Sequence, residues 1–403
     1  MLHSMPPFLL AFLIVIETIH CELHPVLLFP GLGGSQIVSK YVERPKMWPC
    51  HSFNKSFLTW IDLKFFTPFT IDCIINLLKL EYDASTHSTF PPRNCETTIP
   101  GFGKLDNIAY LSNYKNRWTS YYNNIINELV KNNNYTANVN LRGAPYDFRK
   151  SPNELKPHFL RVKHLIEEMY ETGNQKSVVV IGHSYGNLLL LRLLNNLSQT
   201  WKTKYIRTFI SISAPYSGSV MAAQSVLSGF KSATFLVSAL KLRKMESTWP
   251  SLYYMMPYPG LWPEKPIVLT KKFNFTVQNI SEMIKLSNVP FAYEHYNDVT
   301  NYTERRDAPN VEVHCIISYD VPTTGVLDYR AGKFPDSTPK RIKEDGDGTV
   351  SLHSLMICPQ WKTKQAQRVT FHKIRKVKHF DMVKNEFTLK TVHKILCQIN
   401  GNC

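Results

Sequence analysis

The chain has 403 residues, of which 43% are hydrophobic and 19% are charged, and its formal net charge is +16. This composition excludes a disordered or collagen-like chain, and the length fits one large domain with insertions or two domains. Basic proteins bind nucleic acids or anionic membranes. Since no nucleic-acid motif is present, we expect no nucleic-acid partner and favour an anionic phospholipid surface; a dispersed, solvated basic surface is the alternative.

The N-terminal segment predicts entry into the secretory pathway. Its apolar run, from Pro6 to Ile16, is shorter than the roughly 20 residues that a membrane-spanning helix needs. We interpret residues 1–21 as a signal peptide and 22–403 as the mature chain, with an uncleaved anchor or a buried strand as alternatives. Eight cysteines are then capable of forming disulfides. Six sequons predict glycosylation, at Asn54, Asn134, Asn196, Asn274, Asn279 and Asn301.

The order of the predicted elements indicates an α/β fold. Strands are predicted at 25–29, 177–182, 205–213, 311–318 and 367–374, and helices at 121–132, 152–171, 187–197 and 389–399. Strands that alternate with helices form a mostly parallel sheet covered on both faces. Two stretches depart from this alternation. Residues 47–78 are crowded with aromatic side chains, and residues 215–309 are predicted to be a loop-rich insertion over one edge of the sheet.

The sequence Gly-His-Ser-Tyr-Gly at 182–186 lies between a predicted strand and a predicted helix. In this G-x-S-x-G pattern the chain turns so sharply that the central serine hydroxyl is exposed, and the flanking glycines avoid collisions in the turn. The N-terminus of the helix faces the negative charge that develops on a substrate oxygen. We therefore predict that Ser184 is a nucleophile; an ordinary turn with a capping serine is the alternative.

A serine nucleophile needs a base and an acid, which follow it in the order Ser, acid, His in α/β-hydrolases. The downstream Gly-rich loop contains Asp345 and Asp347. The candidate bases are His379, His353 and His372, which spacing alone does not separate. A calcium-binding EF-hand is excluded because the loop lacks the Gly and Glu at its sixth and twelfth positions.

The oxyanion hole of such an enzyme uses two backbone N–H groups, one after the nucleophile and one in the turn after an early strand. Tyr185 follows the serine, and Leu32 lies in the Gly-rich turn after the strand at 25–29. We predict that these two residues donate through their backbones. The sequence indicates no metal ligands and no cofactor.

The segments FPGLGGSQ, RGAPYDFRKSPNE, IGHSYGN, EDGDGTVSLHS and KHFDMV together resemble the lecithin:cholesterol acyltransferase family, and more closely its lysosomal phospholipase branch. The resemblance implies an α/β-hydrolase fold with a membrane-binding insertion at about 45–80 and a cap with a mobile lid at about 215–310. It implies the triad Ser184, Asp347 and His379. It also implies two disulfides, Cys50–Cys73 and Cys315–Cys358. The expected membrane contacts are Trp48, Phe53, Trp60, Phe65 and Phe66.

The expected activity is that of a phospholipase A, which cleaves glycerophospholipid acyl esters through an acyl-enzyme and passes the acyl group to water or a lipid alcohol such as ceramide. A sterol acyltransferase is one alternative, and a non-catalytic lipid-binding protein is the other. The resemblance implies a lysosomal location, or an extracellular one. Leu32 departs from the family, whose lysosomal branch has an acidic residue there, so the pH optimum stays open. The family implies no partner for Cys95, Cys397 and Cys403.

Overall fold

The computed structural model describes residues 23–43, 45, 50, 55–231, 237–303 and 306–401. The predicted signal peptide lies outside these residues. The strands are β1 (Val26–Phe29), β2 (Ile37–Tyr41), β3 (Phe57–Trp60), β4 (Glu81–Asp83), β5 (Ser88–Phe90), β6 (Cys95–Thr98), β7 (Leu141–Gly143), β8 (Val178–His183), β9 (Ile206–Ile212), β10 (Val268–Leu269), β11 (Asn274–Phe275), β12 (Val313–Tyr319), β13 (Thr323–Asp328), β14 (Lys340–Glu344) and β15 (Val369–Arg375).

The helices connect these strands and cover the sheet. They are α1 (Ile71–Leu78), α2 (Asp106–Ala109), α3 (Asn123–Asn132), α4 (Lys156–Thr172), α5 (Tyr185–Asn195), α6 (Gln199–Tyr205), α7 (Val220–Ser228), α8 (Ala239–Glu246), α9 (Pro250–Tyr254), α10 (Ile280–Ser287), α11 (Ala292–Thr303), α12 (Leu352–Leu355), α13 (Ile357–Gln360) and α14 (Glu386–Asn400). None of the described helices combines the length and the apolar composition needed to cross a bilayer.

The main sheet has six strands in the order β15-β12-β9-β8-β1-β7, and every pairing is parallel. Alternate residues of each strand point to opposite faces of the sheet, and helices cover both faces, so the central strands are buried on both sides. In β1, Leu27 and Phe29 belong to one hydrophobic cluster, whereas Val26 and Leu28 belong to another. The predicted parallel sheet is confirmed, and the arrangement is that of an α/β-hydrolase.

The segment predicted to bind membranes forms a small lobe beside this sheet. Strand β2 pairs antiparallel with β3 and with β6, and α1 follows. The disulfide Cys50–Cys73 ties α1 to the preceding segment, with 5.4 Å between the Cα atoms. Ile71, Ile74 and Leu78 on α1 are buried because they recur at helical spacing and face the main core.

The region predicted as a loop-rich insertion combines short helices with connecting loops. Helices α7 to α11 occupy much of the range 215–310. Helix α7 lacks a polar face because eight of its nine residues are buried, so its sequence shows no amphipathic period. A small sheet in the order β11-β10-β13-β14 accompanies these helices and extends beyond residue 310.

Candidate active site

Ser184 lies at the sharp turn between β8 and α5, with φ of 54° and ψ of −129°. Its N–H donates to the carbonyl of Ile212 at the end of the neighbouring strand, at 3.0 Å. The glycine at 186 is required by close packing, since a Cβ there would lie 2.3 Å from the carbonyl oxygen of Pro30. The half-buried serine is thus held with an unusual backbone conformation that the surrounding strands enforce.

Three side chains form a continuous hydrogen-bonded chain at the carboxyl end of the sheet. His379 Nε2 lies 2.8 Å from Ser184 Oγ, and His379 Nδ1 lies 2.7 Å from Asp347 Oδ2. The imidazole and the carboxylate are almost completely buried, with 2% and 0% of their side-chain surfaces exposed. With Asp347 fixing the Nδ1–H tautomer, Nε2 is free to accept the serine proton.

Asp347 is held by the backbone of its own loop. Its Oδ1 accepts N–H bonds from Thr349 at 3.0 Å and Val350 at 2.7 Å. Its carbonyl accepts the N–H of His379 at 2.8 Å. Because both carboxylate oxygens have donors, the charged form of this buried group is compensated. The loop therefore orients the carboxylate toward the imidazole.

The rival candidates are directed elsewhere. Asp345 Oδ1 accepts a hydrogen bond from the backbone N–H of Asp320, with 2.5 Å between nitrogen and oxygen. The ring of His353 packs edge-on against Trp262, with centroids 4.2 Å apart. His372 is paired with a second histidine on the neighbouring strand. The geometry therefore brings together the one aspartate and the one histidine that the family resemblance selects.

The Gly-rich turn after β1 lies directly against the serine. A Cβ on Gly31 would lie 2.8 Å from the Cβ of Ser184. The Gly31 N–H donates to the Tyr121 hydroxyl at 2.9 Å and is therefore occupied. The next N–H belongs to Leu32, and the N–H of Tyr185 is at the N-terminus of α5, whose dipole favours negative charge.

His183 and Tyr121 form a hydrogen-bonded bridge that the sequence analysis missed. His183 Nδ1 lies 2.7 Å from the Tyr121 hydroxyl, and His183 Nε2 lies 3.1 Å from the carbonyl oxygen of His379. Because a carbonyl only accepts, Nε2 carries the proton and Nδ1 accepts from tyrosine. Burial lowers the pKa of His183 well below its ordinary value, which keeps this tautomer neutral. The sequence signal for this bridge was the histidine that directly precedes the predicted nucleophile.

The aromatic residues predicted to contact a membrane have different environments. Phe66 is 3% exposed and belongs to the main core, so the prediction is wrong for this residue. Trp60 and Phe65 are half-buried and pack against buried clusters. Trp48 and Phe53 lie outside the described residues. Alternation and composition did not separate the inward-facing members of this aromatic segment from the outward-facing ones.

Trp60 is directed toward the active-site turn. Its indole N–H donates to the carbonyl of Gly33 at 2.8 Å, and its ring packs against Phe148 with centroids 5.2 Å apart. Between β3 and α1, Leu63 is 45% exposed and Phe69 is 78% exposed. This described segment of the lobe therefore presents apolar side chains to solvent.

Both expected disulfides are present, and Cys315–Cys358 joins β12 to α13 with 6.0 Å between Cα atoms. Cys95 and Cys397 are buried free thiols, and Cys403 lies outside the described residues. Among the sequons, Asn134, Asn196 and Asn274 are exposed, and Asn279 is half-buried. The side chains of Asn54 and Asn301 are not among those described. Within the described part of the chain, no group of three potential ligands could hold a metal ion.

Comparison with known proteins identifies the family. The family model "Lecithin:cholesterol acyltransferase" matches residues 56–306 and 292–386. The chain is 33% identical to "Lysosomal phospholipase A and acyltransferase" of Mus musculus over 97% of this chain and 95% of the relative. It is 32% identical to "Phosphatidylcholine-sterol acyltransferase" of Mus musculus over 92% of this chain and 85% of the relative.

A solved structure supports the fold. The chain resembles one in "The crystal structure of Tle4-Tli4 complex" with a TM-score of 0.50 at 12% identity, covering 94% of this chain and 98% of that one. The predictions of the family and of an enzyme are confirmed by the sequence relatives, which match nearly the whole length. The chain belongs to the lecithin:cholesterol acyltransferase family.

Proposed function

We propose that the protein is a serine phospholipase A that also transfers acyl groups, with Ser184 as nucleophile, His379 as base and Asp347 as the acid that orients it. The observation that carries the proposal is the hydrogen-bonded chain of these three side chains at the turn between β8 and α5. Similarity over nearly the whole length to lysosomal phospholipase A and acyltransferase supports the lipid substrate.

In the acylation step His379 Nε2 takes the proton of the Ser184 hydroxyl while Oγ attacks the ester carbonyl carbon. The N–H groups of Leu32 and Tyr185 stabilise the tetrahedral oxyanion. When the intermediate collapses, the carbon–oxygen bond to the glycerol breaks, and the imidazolium returns its proton to the departing lysophospholipid oxygen. The acyl group is then an ester of Ser184.

In the second step an acceptor hydroxyl attacks the acyl carbon, and His379 removes its proton. The bond between the acyl carbon and Ser184 Oγ then breaks, and the imidazolium returns the proton to Oγ. Water yields a free fatty acid, and a lipid alcohol such as ceramide yields an acylated lipid. The similarity to phosphatidylcholine-sterol acyltransferase favours sterol as a second candidate acceptor. The two candidates share the intermediate and differ only in the acceptor.

The proposal also includes the site of action. An anionic phospholipid surface is the proposed partner because the chain has a net charge of +16. A lysosomal location is supported by the name of the lysosomal relatives, and an extracellular location is the alternative. The exposed Leu63 and Phe69 are suited to the membrane-binding role of the insertion at about 45–80.

The experiment is product analysis on phosphatidylcholine vesicles that contain either ceramide or cholesterol, at about pH 4.5 and about pH 7.4. The expected products are free fatty acid and acylceramide, and their loss in Ser184→Ala is expected with an unchanged unfolding midpoint. Turnover that persists in Ser184→Ala would reject the nucleophile. Cholesteryl ester as the main transfer product would select the sterol alternative, and no turnover in wild type would favour a lipid-binding protein.

A further inference from the structure

A second apolar surface lies outside the membrane-binding insertion, at the loop between α2 and α3 and at the turn that carries His379. Tyr114 is 61% exposed, Trp118 is 77% exposed and Phe380 is 50% exposed. We call these three residues the entrance patch. Large aromatic side chains exposed to this extent bury apolar area when a partner covers them.

The entrance patch borders the active site. Phe380 follows His379 directly, and their ring centroids are 5.5 Å apart. The Nζ group of Lys384, in the next turn, lies 3.5 Å from the carbonyl oxygen of Arg117. This contact joins the loop of Trp118 to the segment of the catalytic histidine. Phe380 and the loop of Trp118 therefore lie at the surface beside the segment that carries the catalytic histidine.

The loop that carries Trp118 is preorganised. The N–H of Leu111 donates to the carbonyl of Thr119 at 2.8 Å and closes the loop at its base. The N–H of Trp118 donates to Asn116 Oδ1 at 2.9 Å. Since these bonds already hold the backbone, little conformational freedom is lost when the indole enters an interface.

The charge around the patch is basic. Residues 112–120 contain Lys115 and Arg117 and no acidic residue. The Arg117 guanidinium lies 4.6 Å from the centroid of the Trp118 ring. On the neighbouring turn Lys378 and Phe380 are exposed, with Asp381 as the nearby acid. An aromatic patch surrounded by basic side chains matches the headgroup region of an anionic bilayer.

We propose that the entrance patch docks on an anionic phospholipid bilayer, with Trp118 and Phe380 at the headgroup level and Arg117 on lipid phosphates. This inference rests on the proposed function and adds a second membrane contact beside the insertion at about 45–80. Two contacts on separate segments fix the orientation of the protein, so that the entrance to Ser184 faces the bilayer. The partner is a lipid surface because the enzyme family acts on lipids.

The test compares binding to phosphatidylcholine vesicles with and without phosphatidylglycerol. Trp118→Ala is expected to weaken binding to both vesicles at least about tenfold, because the indole no longer contributes apolar burial. Arg117→Gln is expected to weaken binding about fivefold, and only to the anionic vesicles. The matched control is Phe273→Ala, which removes an aromatic side chain of 49% exposure on the β10–β11 connection and leaves binding unchanged.

Hydrolysis of a short soluble ester separates docking from chemistry. Trp118→Ala and Arg117→Gln are expected to keep wild-type activity on this ester, and Ser184→Ala is expected to lose it while binding vesicles normally. Vesicle binding by Trp118→Ala equal to that of wild type would overturn the proposal. If Trp118→Ala unfolds, Tyr114→Ala replaces it with the same expectation. If the wild-type protein does not hydrolyse the ester, the proposed function is rejected, and the vesicle-binding measurements still decide whether the entrance patch docks on a bilayer.

Discussion

Glu246, at the C-terminal end of α8, is a buried acid that predicts how stability depends on pH. Only 6% of the residue is exposed. Burial raises its pKa from 4.5 to about 8, and the hydrogen bond that Oε2 accepts from the Phe230 N–H at 2.8 Å works in the opposite direction. The folded protein therefore holds a neutral glutamic acid at a pH where the unfolded chain is ionised.

The direction of the effect follows from proton linkage. A carboxyl group whose pKa is raised by folding contributes its full stability below pH 4.5 and loses it as the pH rises to about 8. Each pH unit in this window is worth about 1.4 kcal/mol, so Glu246 lowers the free energy of unfolding by up to about 5 kcal/mol between acidic and mildly alkaline pH. This penalty is small in an acidic compartment.

The perturbation is Glu246→Gln, which retains an oxygen acceptor for the Phe230 N–H and removes the titration. At about pH 4.5 we expect the variant and wild type to unfold at similar urea concentrations, and at about pH 8 we expect the variant to be more stable by several kcal/mol. Glu264→Gln, on an exposed residue, is the matched control with no such divergence. A stability difference between Glu246→Gln and wild type that is the same at both pH values would refute the argument.

Two other substitutions test the interior of the site and of the core. Tyr121→Phe removes the hydroxyl that links Gly31 to His183, so we expect kcat on a soluble ester to fall about tenfold with little change in KM, measured by steady-state kinetics; a change in KM alone would contradict a positioning role. His158→Phe removes a buried imidazole. Burial lowers the pKa of His158 from 6.5 to about 3, so the free energy of unfolding of the wild-type protein falls as the pH drops below 6.5. The variant should gain about 2–3 kcal/mol relative to wild type between pH 7.5 and 4.5 in urea unfolding, and an equal difference at both pH values would exclude this linkage.

The nucleophile was predictable because its signal is local. A buried strand, two glycines and a following helix surround Ser184 within a few residues, and each has a mechanical reason to be there. The acid and the base were not predictable in the same way. Asp345 and Asp347 are two residues apart in one loop. The direction of each side chain depends on the backbone N–H groups from which its carboxylate accepts hydrogen bonds.

The outward and inward aromatic residues could not be separated from sequence for a related reason. Phe66 and Phe69 lie in one short irregular segment between β3 and α1, where neither a period of two nor of 3.6 applies. Phe66 is buried, and Phe69 is 78% exposed. Helix α7 of the cap was not predicted because eight of its nine residues are buried, so it lacks the amphipathic stripe by which surface helices are recognised.

The loop between α2 and α3 connects surface and chemistry in one short segment. Trp118 projects to solvent, whereas three residues later Tyr121 is buried and hydrogen-bonded to His183. The backbone bond between Leu111 and Thr119 and the antiparallel bridge between Tyr110 and Ser120 separate the two environments. A bilayer that holds the outer side of this loop therefore acts on a segment whose inner side positions both the Gly-rich turn and the carbonyl of the catalytic histidine. Docking and chemistry share one structural support.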